Sequence, residues 1–215
     1  EVFEKCKRYA FLKFIQRIPD PRPNPTADRG TKIHLKAEHY VMGKIDHLPQ
    51  ELKKFEEEFE FLRTLYQRGK VSLEGEWGFD KDWKPVDWRS AWLRVKCDAV
   101  VWLDDKTIVV IDYKTGKKFG NEIKHGEQTQ MYAATACALY PQVETIHTEL
   151  WYLDQDELTP AKHSRSRSMI ALSRFNERGL KITEATVFPP NPSKVSCKWC
   201  PYKPSGTGDC KVGVE

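Results

Sequence analysis

The chain has 215 residues, 40% of them hydrophobic and 31% charged, which is enough to bury one core and ordinary for a globular protein. A formal net charge of +4 is compatible with a polyanionic partner but too small to require one. No stretch approaches the roughly 20 consecutive apolar residues of a membrane span, and Glu1 to Arg8 lack the apolar run of a signal peptide, so the sequence reads as cytoplasmic.

In chain order, Phe3 to Arg17 carries apolar residues at helical spacing and runs into a Pro-Asp-Pro-Arg-Pro-Asn-Pro stretch that cannot continue a helix, so the first helix is expected to end near Ile18. Thr31 to Met42 reads as a second helix with His34, Glu38 and Met42 stacked at four-residue spacing, and Leu48 to Gln67 as a longer, heavily charged third. From Val71 the period becomes two: Val71, Leu73, Gly75, Trp77 and Phe79 alternate with Ser72, Glu74, Glu76 and Gly78, as in a half-buried strand. Ala91 to Leu103 and Thr107 to Lys114 are apolar and β-branched, joined by the polar turn Asp104-Asp105-Lys106, which predicts a three-stranded meander. Glu127 to Leu139 returns to helical period and Thr145 to Leu153 to strand, so a crossover helix should bring the chain back to the same sheet. Ser168 to Arg178 reads as a last helix before a Pro-rich tail.

Two of these strands carry chemistry. Asp98 and Asp112 lie on adjacent strands, and Lys114 shares a face with Asp112 because strand side chains repeat every two residues. Two carboxylates in an apolar setting repel one another and need a compensating cation, and hard oxygen ligands suit Mg²⁺ or Mn²⁺. A lone Asp-x-Lys is also what an ordinary strand ending in a polar turn looks like. Beside it, however, stand Gly30-x-x-x-His34 at the start of a helix and Gln128-x-x-x-Tyr132 on the face of another.

In that order, Gly30/His34, Asp98, Asp112/Lys114 and Gln128/Tyr132, the sequence resembles the RecB-like branch of the PD-(D/E)XK nucleases over roughly residues 1 to 210. The resemblance implies an α/β (α+β) restriction-endonuclease-like core, a central mixed β-sheet flanked by helices, with a helical N-terminal region and a cysteine-rich C-terminal tail. It also implies that His34, Asp98, Asp112 and the carbonyl of Tyr113 bind the metal, that Lys114 orients or activates the attacking water, and that Gln128 and Tyr132 lie close to the metal site or the DNA backbone. Lys96 stands where many members have Gly, two residues ahead of the first acid. A family glutamate on the first strand corresponds to Glu74 or Glu76, and the sequence does not choose between them.

Of the six cysteines, Cys97 and Cys137 sit in apolar segments as small hydrophobes. Cys197-x-x-Cys200 and Cys210 supply three thiolates near the end of the sequence and Cys6 a fourth near its start. Zinc and a [4Fe-4S] cluster both accept four cysteines, and spacing does not separate them. The resemblance favours the cluster: an iron-sulfur group of RecB-like nucleases, including AddB subunits and CRISPR-associated relatives, has one Cys before the nuclease core and three after it. It implies one nuclease domain over 1–215, in which segments 1–20 and 193–215 form a metal-cluster staple. In this sequence Lys7 follows Cys6 where the family often has Pro.

Trp83, Trp88 and Trp92 read either as core or as stacking platforms for unpaired bases, and Lys162 to Arg167 either as a phosphate-contacting stretch or as a solvated loop. The expected activity is that of a divalent-metal-dependent DNA nuclease, an exonuclease in recombination, repair or phage DNA processing, with DNA ends as substrate and a helicase or recombination partner supplied in trans. An endonuclease with the same site and a non-catalytic nucleic-acid-binding module on the same fold are the alternatives.

Overall fold

The computed structural model describes residues 1–215, which form two units, one of residues 25–177 and one of residues 1–24 with 178–215. The helices are α1 (Val2–Lys5), α2 (Lys7–Ala10), α3 (Pro25–Val41), α4 (Glu56–Gln67), α5 (Glu122–Leu139), α6 (Arg165–Thr183) and α7 (Lys194–Cys197). The strands are β1 (Val71–Phe79), β2 (Leu93–Asp104), β3 (Thr107–Lys114), β4 (Thr145–Tyr152) and β5 (Glu157–Ser164). They form one mixed sheet in the order β1-β2-β3-β4-β5, antiparallel except for the parallel β3–β4 pair that α5 connects. This is the restriction-endonuclease-like α/β arrangement expected from the sequence.

Strand β3 explains the layering. Ile108 to Tyr113 is buried without interruption, because the central strand is covered on both faces. Its odd residues Val109, Ile111 and Tyr113 join Ile33, Ala37 and Val41 of α3 and Phe59 and Leu62 of α4 in one core. Its even residues Ile108 and Val110 join Tyr132, Ala133 and Ala136 of α5 in the other. Ile33, Ala37, Tyr40 and Val41 are buried at the spacing of one helical face, which fixes the rotation of α3. The helix ends where Gly43 takes a left-handed φ of 75°, so that Gly43 N–H bonds Tyr40 O at 3.0 Å and Lys44 N–H bonds His39 O at 2.8 Å.

Three expectations need correction. The first helix breaks at Cys6, which is extended (φ −161°), and continues past Ala10 as a π-helical turn over Phe11–Ile15. Pro25 opens α3 six residues before Thr31, as a proline suits a first helical turn, and Gln50–Phe55 is a 3₁₀ segment leading into α4. Strand β5 was not anticipated: the basic Lys162–Arg167 stretch closes it and opens α6, and Pro160 is tolerated because β5 is an edge strand. Trp83 and Trp92 pack edge to face with centroids 6.1 Å apart, and Trp83 lies against both Phe79 and the α5 and α6 contacts, so these two rings serve packing. Cys97 and Cys137 are buried and free.

Phe59 is fully buried with its ring 5.2 Å from both Tyr113 and Trp151. Phe59→Ala leaves a void beneath β3 and is expected to cost about 3–5 kcal/mol of unfolding free energy, read from urea denaturation. A loss below about 1 kcal/mol would show that the sheet does not depend on this contact.

Candidate active site

The site begins where β2 and β3 part. Their ladder runs from Asp104↔Thr107 to Ala99↔Ile111 and stops there, so Tyr113 N–H has no main-chain partner on the β2 side. Asp98 takes that place: its Oδ2 accepts from Tyr113 N–H at 2.6 Å. The outer hairpin bends at the same level. Val71, Leu73, Ala99 and Val101 belong to the α3/α4 core, whereas Trp77, Phe79, Val95 and Cys97 belong to the α5 core. Both strands thus change face at Glu74 and Asp98, and Glu74 is left-handed at φ 49°, the kind of irregularity that re-aims side chains.

Asp112, on the α5 face of β3, is buried. Its Oδ1 accepts from Tyr132 Oη–H and, at 3.1 Å, from Gln128 Nε2, both one turn apart on α5. Lys114 Nζ lies 2.6 Å from Asp112 Oδ2 and donates to Gln128 Oε1 at 2.7 Å. Gln128 therefore spends its carbonyl on the lysine and its amide on Asp112 and on Tyr132 Oη, 2.6 Å away. From α3, His34 Nδ1 lies 2.7 Å from Asp98 Oδ1, with its ring edge-on to Tyr113 at 5.7 Å. Gly30 lets this helix come close: a Cβ there would sit 3.0 Å from Thr115 Oγ1.

All these side chains except Lys114 and Tyr113 line one open cleft of about 560 Å³, together with Glu74. Glu74 Oε2 pairs with Lys96 Nζ at 2.5 Å, and the Lys96 carbonyl is 3.1 Å from Tyr132 Oη. Glu76 is exposed and does not line the cleft, so of the two strand glutamates Glu74 is the one at the site. Sequence reading missed the Lys96 carbonyl, because a main-chain atom leaves no residue signature, and the capture of Tyr113 N–H by Asp98.

A divalent cation suits the chemistry of this donor set. The two carboxylates are buried side by side, and Asp112 Oδ2 faces Lys114 without a hydrogen bond of regular geometry. As placed, no three His, Cys, Asp or Glu side chains converge as a ready-made ion cage; the ligand atoms are engaged with one another instead. Burial followed by the neighbouring Asp112 charge raises the Asp98 pKa against the His34 contact. Burial opposes the charged form of His34, but the Asp98 hydrogen bond and the charges of Asp98, Asp112 and Glu74 outweigh it and raise its pKa.

The model of the PD-(D/E)XK nuclease superfamily matches residues 1–205. The chain belongs to the PD-(D/E)XK nuclease superfamily. A search of curated proteins returns no match. Among solved structures, one titled "Crystal structure of SSO0001" is similar with a TM-score of 0.44 and 15% identity, covering 100% of this chain and 86% of that one, a likeness too distant to carry an argument. Members of this superfamily are generally nucleases that use Mg²⁺ or Mn²⁺, and no helix of this member is long and apolar enough to cross a membrane.

In the unit of residues 1–24 and 178–215, all four remaining cysteines are unbridged and line a single small cavity. Cys6 is itself the extended residue that breaks the first helix, and its Sγ accepts from Asn191 N–H at 3.4 Å. Cys197 closes α7, and Cys210 N–H bonds Tyr202 O at 2.7 Å. Burial, then the proximity of Cys197, Cys210 and Cys6, raises the Cys200 pKa, so without a metal this thiol stays protonated. Four free thiols line this one cavity but, as placed, do not converge as a ready-made metal site; thiolates are the donors that zinc and iron-sulfur groups take.

With both pKa values raised above 3.8 and 6.5, the folded Asp98–His34 pair holds its protons to higher pH than the unfolded chain does. The stabilising contribution is therefore complete at acid pH and is lost as pH rises through the folded values. In chelator, the melting temperature is expected to fall over the window in which pH rises past the ordinary carboxylate and imidazole values of 3.8 and 6.5 toward the raised folded ones, with a shallower slope for Asp98→Asn. A melting temperature that rises across this window in the wild type, with the same slope in Asp98→Asn, would show that the pair does not retain the protons.

Proposed function

We propose that this protein is a divalent-metal-dependent deoxyribonuclease of the RecB-like branch, a DNA exonuclease that acts in recombination, repair or phage DNA processing. The observation that carries the reading is the meeting of His34, Asp98 and Asp112 on one open cleft, with Lys114 held against Asp112 by Gln128. His34, Asp98, Asp112 and the Tyr113 carbonyl are the residues that would hold the ion. When bound, Mg²⁺ or Mn²⁺ supplies Lewis-acid charge for the phosphate and lowers the pKa of water.

The rest falls to the protein. Lys114 orients the attacking water, and its charge stabilises the oxygens that become more negative as the water oxygen bonds to phosphorus. Gln128 and Tyr132 keep Asp112 aimed into the cleft. As the P–O ester bond breaks, the departing oxygen takes up a proton, completing the addition of water across the bond. Cys6, Cys197, Cys200 and Cys210 hold a [4Fe-4S] cluster with a structural role, zinc being the alternative, so that segments 1–20 and 193–215 staple a single nuclease domain. A helicase or recombination partner acting in trans supplies the ends.

End-labelled linear DNA and covalently closed circles, single-stranded and duplex, test the reading in Mg²⁺ or Mn²⁺ with and without chelator. Linear DNA is expected to be degraded and circles spared, with Asp112→Ala inactive and Lys114→Ala reduced by about 10² to 10³-fold. Cleavage of circles makes the enzyme an endonuclease, and binding without cleavage in every metal makes the protein a scaffold.

Anaerobically purified protein is expected to contain iron with acid-labile sulfide, lost in Cys197→Ala along with several degrees of melting temperature. Stoichiometric zinc without sulfide would replace the cluster by the alternative ion, and neither metal would remove the staple.

A further inference from the structure

The segment between β3 and α5, Thr115 to Asn121, leaves its strand at Lys114, directly beside the carboxylates. It carries Phe119 at 90% exposure, and the first turn of α5 adds Ile123 at 85%, more than any other large apolar side chains in the protein. A single exposed apolar residue is unremarked on most surfaces. Here the loop that carries Phe119 also walls a second pocket of about 320 Å³, which shares His34 and Asp112 with the cleft and is further lined by Lys114, Lys117, Asn121 and His125; Phe119 lies two residues along the chain from both Lys117 and Asn121.

The chemistry of that pocket is cationic. Lys114 and Lys117 contribute positive charge, and Asp112 is the one carboxylate on its wall. Lys118, the next residue, turns away to ion-pair with Glu157. The loop is tied down by Asn121 Nδ2, which donates to Lys117 O at 2.9 Å. His125 precedes Gln128 by one turn on the same face of α5, and its Nδ1 lies 2.6 Å from the hydroxyl of Tyr152. Tyr152 is buried and pairs with Lys114 across the β3–β4 register, so the imidazole is fixed beside the lysine with Nε2 as the nitrogen left for a ligand.

We propose that residues Thr115 to His125 form a subsite for one unpaired nucleotide of the substrate strand, its phosphate between Lys117 and His125 and its base on the Phe119 ring. The inference rests on the nuclease reading and narrows it to substrates with a single-stranded segment next to the cleaved bond. A backbone-tracking positive groove with an exposed aromatic ring is how proteins hold single strands, and each stacked base contributes enough to be read in binding. A paired base inside a duplex offers no free face to such a ring.

The test is equilibrium binding in chelator, by fluorescence anisotropy, of labelled oligothymidylate and of a duplex hairpin of equal length. Phe119→Ala is expected to weaken single-strand binding by about 10-fold with little change on the hairpin, and Phe119→Trp to restore it. Replacing single phosphates of the oligonucleotide by neutral methylphosphonates should weaken binding to the wild type at one position, and that position should lose its effect in His125→Ala. Thermal melts of each variant show whether it is folded, and a variant that unfolds is replaced by Phe119→Ser or His125→Gln. No measurable single-strand binding by the wild type, equal losses on both DNA forms, or a methylphosphonate effect unaltered by His125→Ala overturns the proposal. A wild type that binds as expected but cleaves no DNA in any metal sinks the nuclease reading and leaves the subsite standing.

Discussion

The structure of the candidate site turns on a single main-chain hydrogen bond that the sheet itself does not supply. Beyond Ala99↔Ile111 the strands β2 and β3 separate, and a buried Tyr113 N–H left without an acceptor would cost on the order of 1–3 kcal/mol. The Asp98 carboxylate fills that position and is thereby fixed in the gap between the strands, one oxygen on the backbone and the other on His34. The cleft exists because the ladder ends, and the ladder can end because a side chain completes it.

Around that point the two faces of the sheet contribute unlike things. The α3 side delivers one imidazole on a helix whose rotation is set by four buried apolar residues. The α5 side delivers a network in which every hydrogen-bonding group of Gln128 is used, on Lys114, Asp112 and Tyr132. A glutamine with all its groups engaged holds its partners in place, whereas a network that lost it would leave further buried polar groups in need of partners beside Asp112 Oδ2. Burial, and after it the neighbouring Asp112 charge, is what the arrangement leaves unresolved, and it shows as the raised pKa of Asp98.

Much of this was legible beforehand because the signals were local. Strands β1 and β3 fall on the residues where alternation and β-branching put them, and Asp112, Lys114, Gln128 and Tyr132 come together because the periods of a strand and a helix dictate it. What escaped reading is what depends on neighbours. Strand β5 contains a proline and alternates small, polar and charged residues, and only its place at the edge makes it a strand. Glu74 and Glu76 are indistinguishable in an alternating sequence, since the left-handed residue that reverses the faces has no residue signature in a glutamate. The break at Cys6, which places that residue on the cavity lined by the other three cysteines, has no signal in local helix propensity.

The division into two units also divides the charge. Residues 1–24 and 178–215 hold twelve Lys and Arg against six Asp and Glu, whereas residues 25–177 hold 23 against 25. The positive excess of the whole chain thus resides in the cysteine-bearing unit, and the unit that contains the carboxylates is slightly negative. Long-range attraction of a polyanion depends on such excesses and fades with salt over about 10 Å at 0.1 M. Ionic strength therefore acts on the two units differently: it screens attraction in the cysteine-bearing one and mutual repulsion among carboxylates in the other.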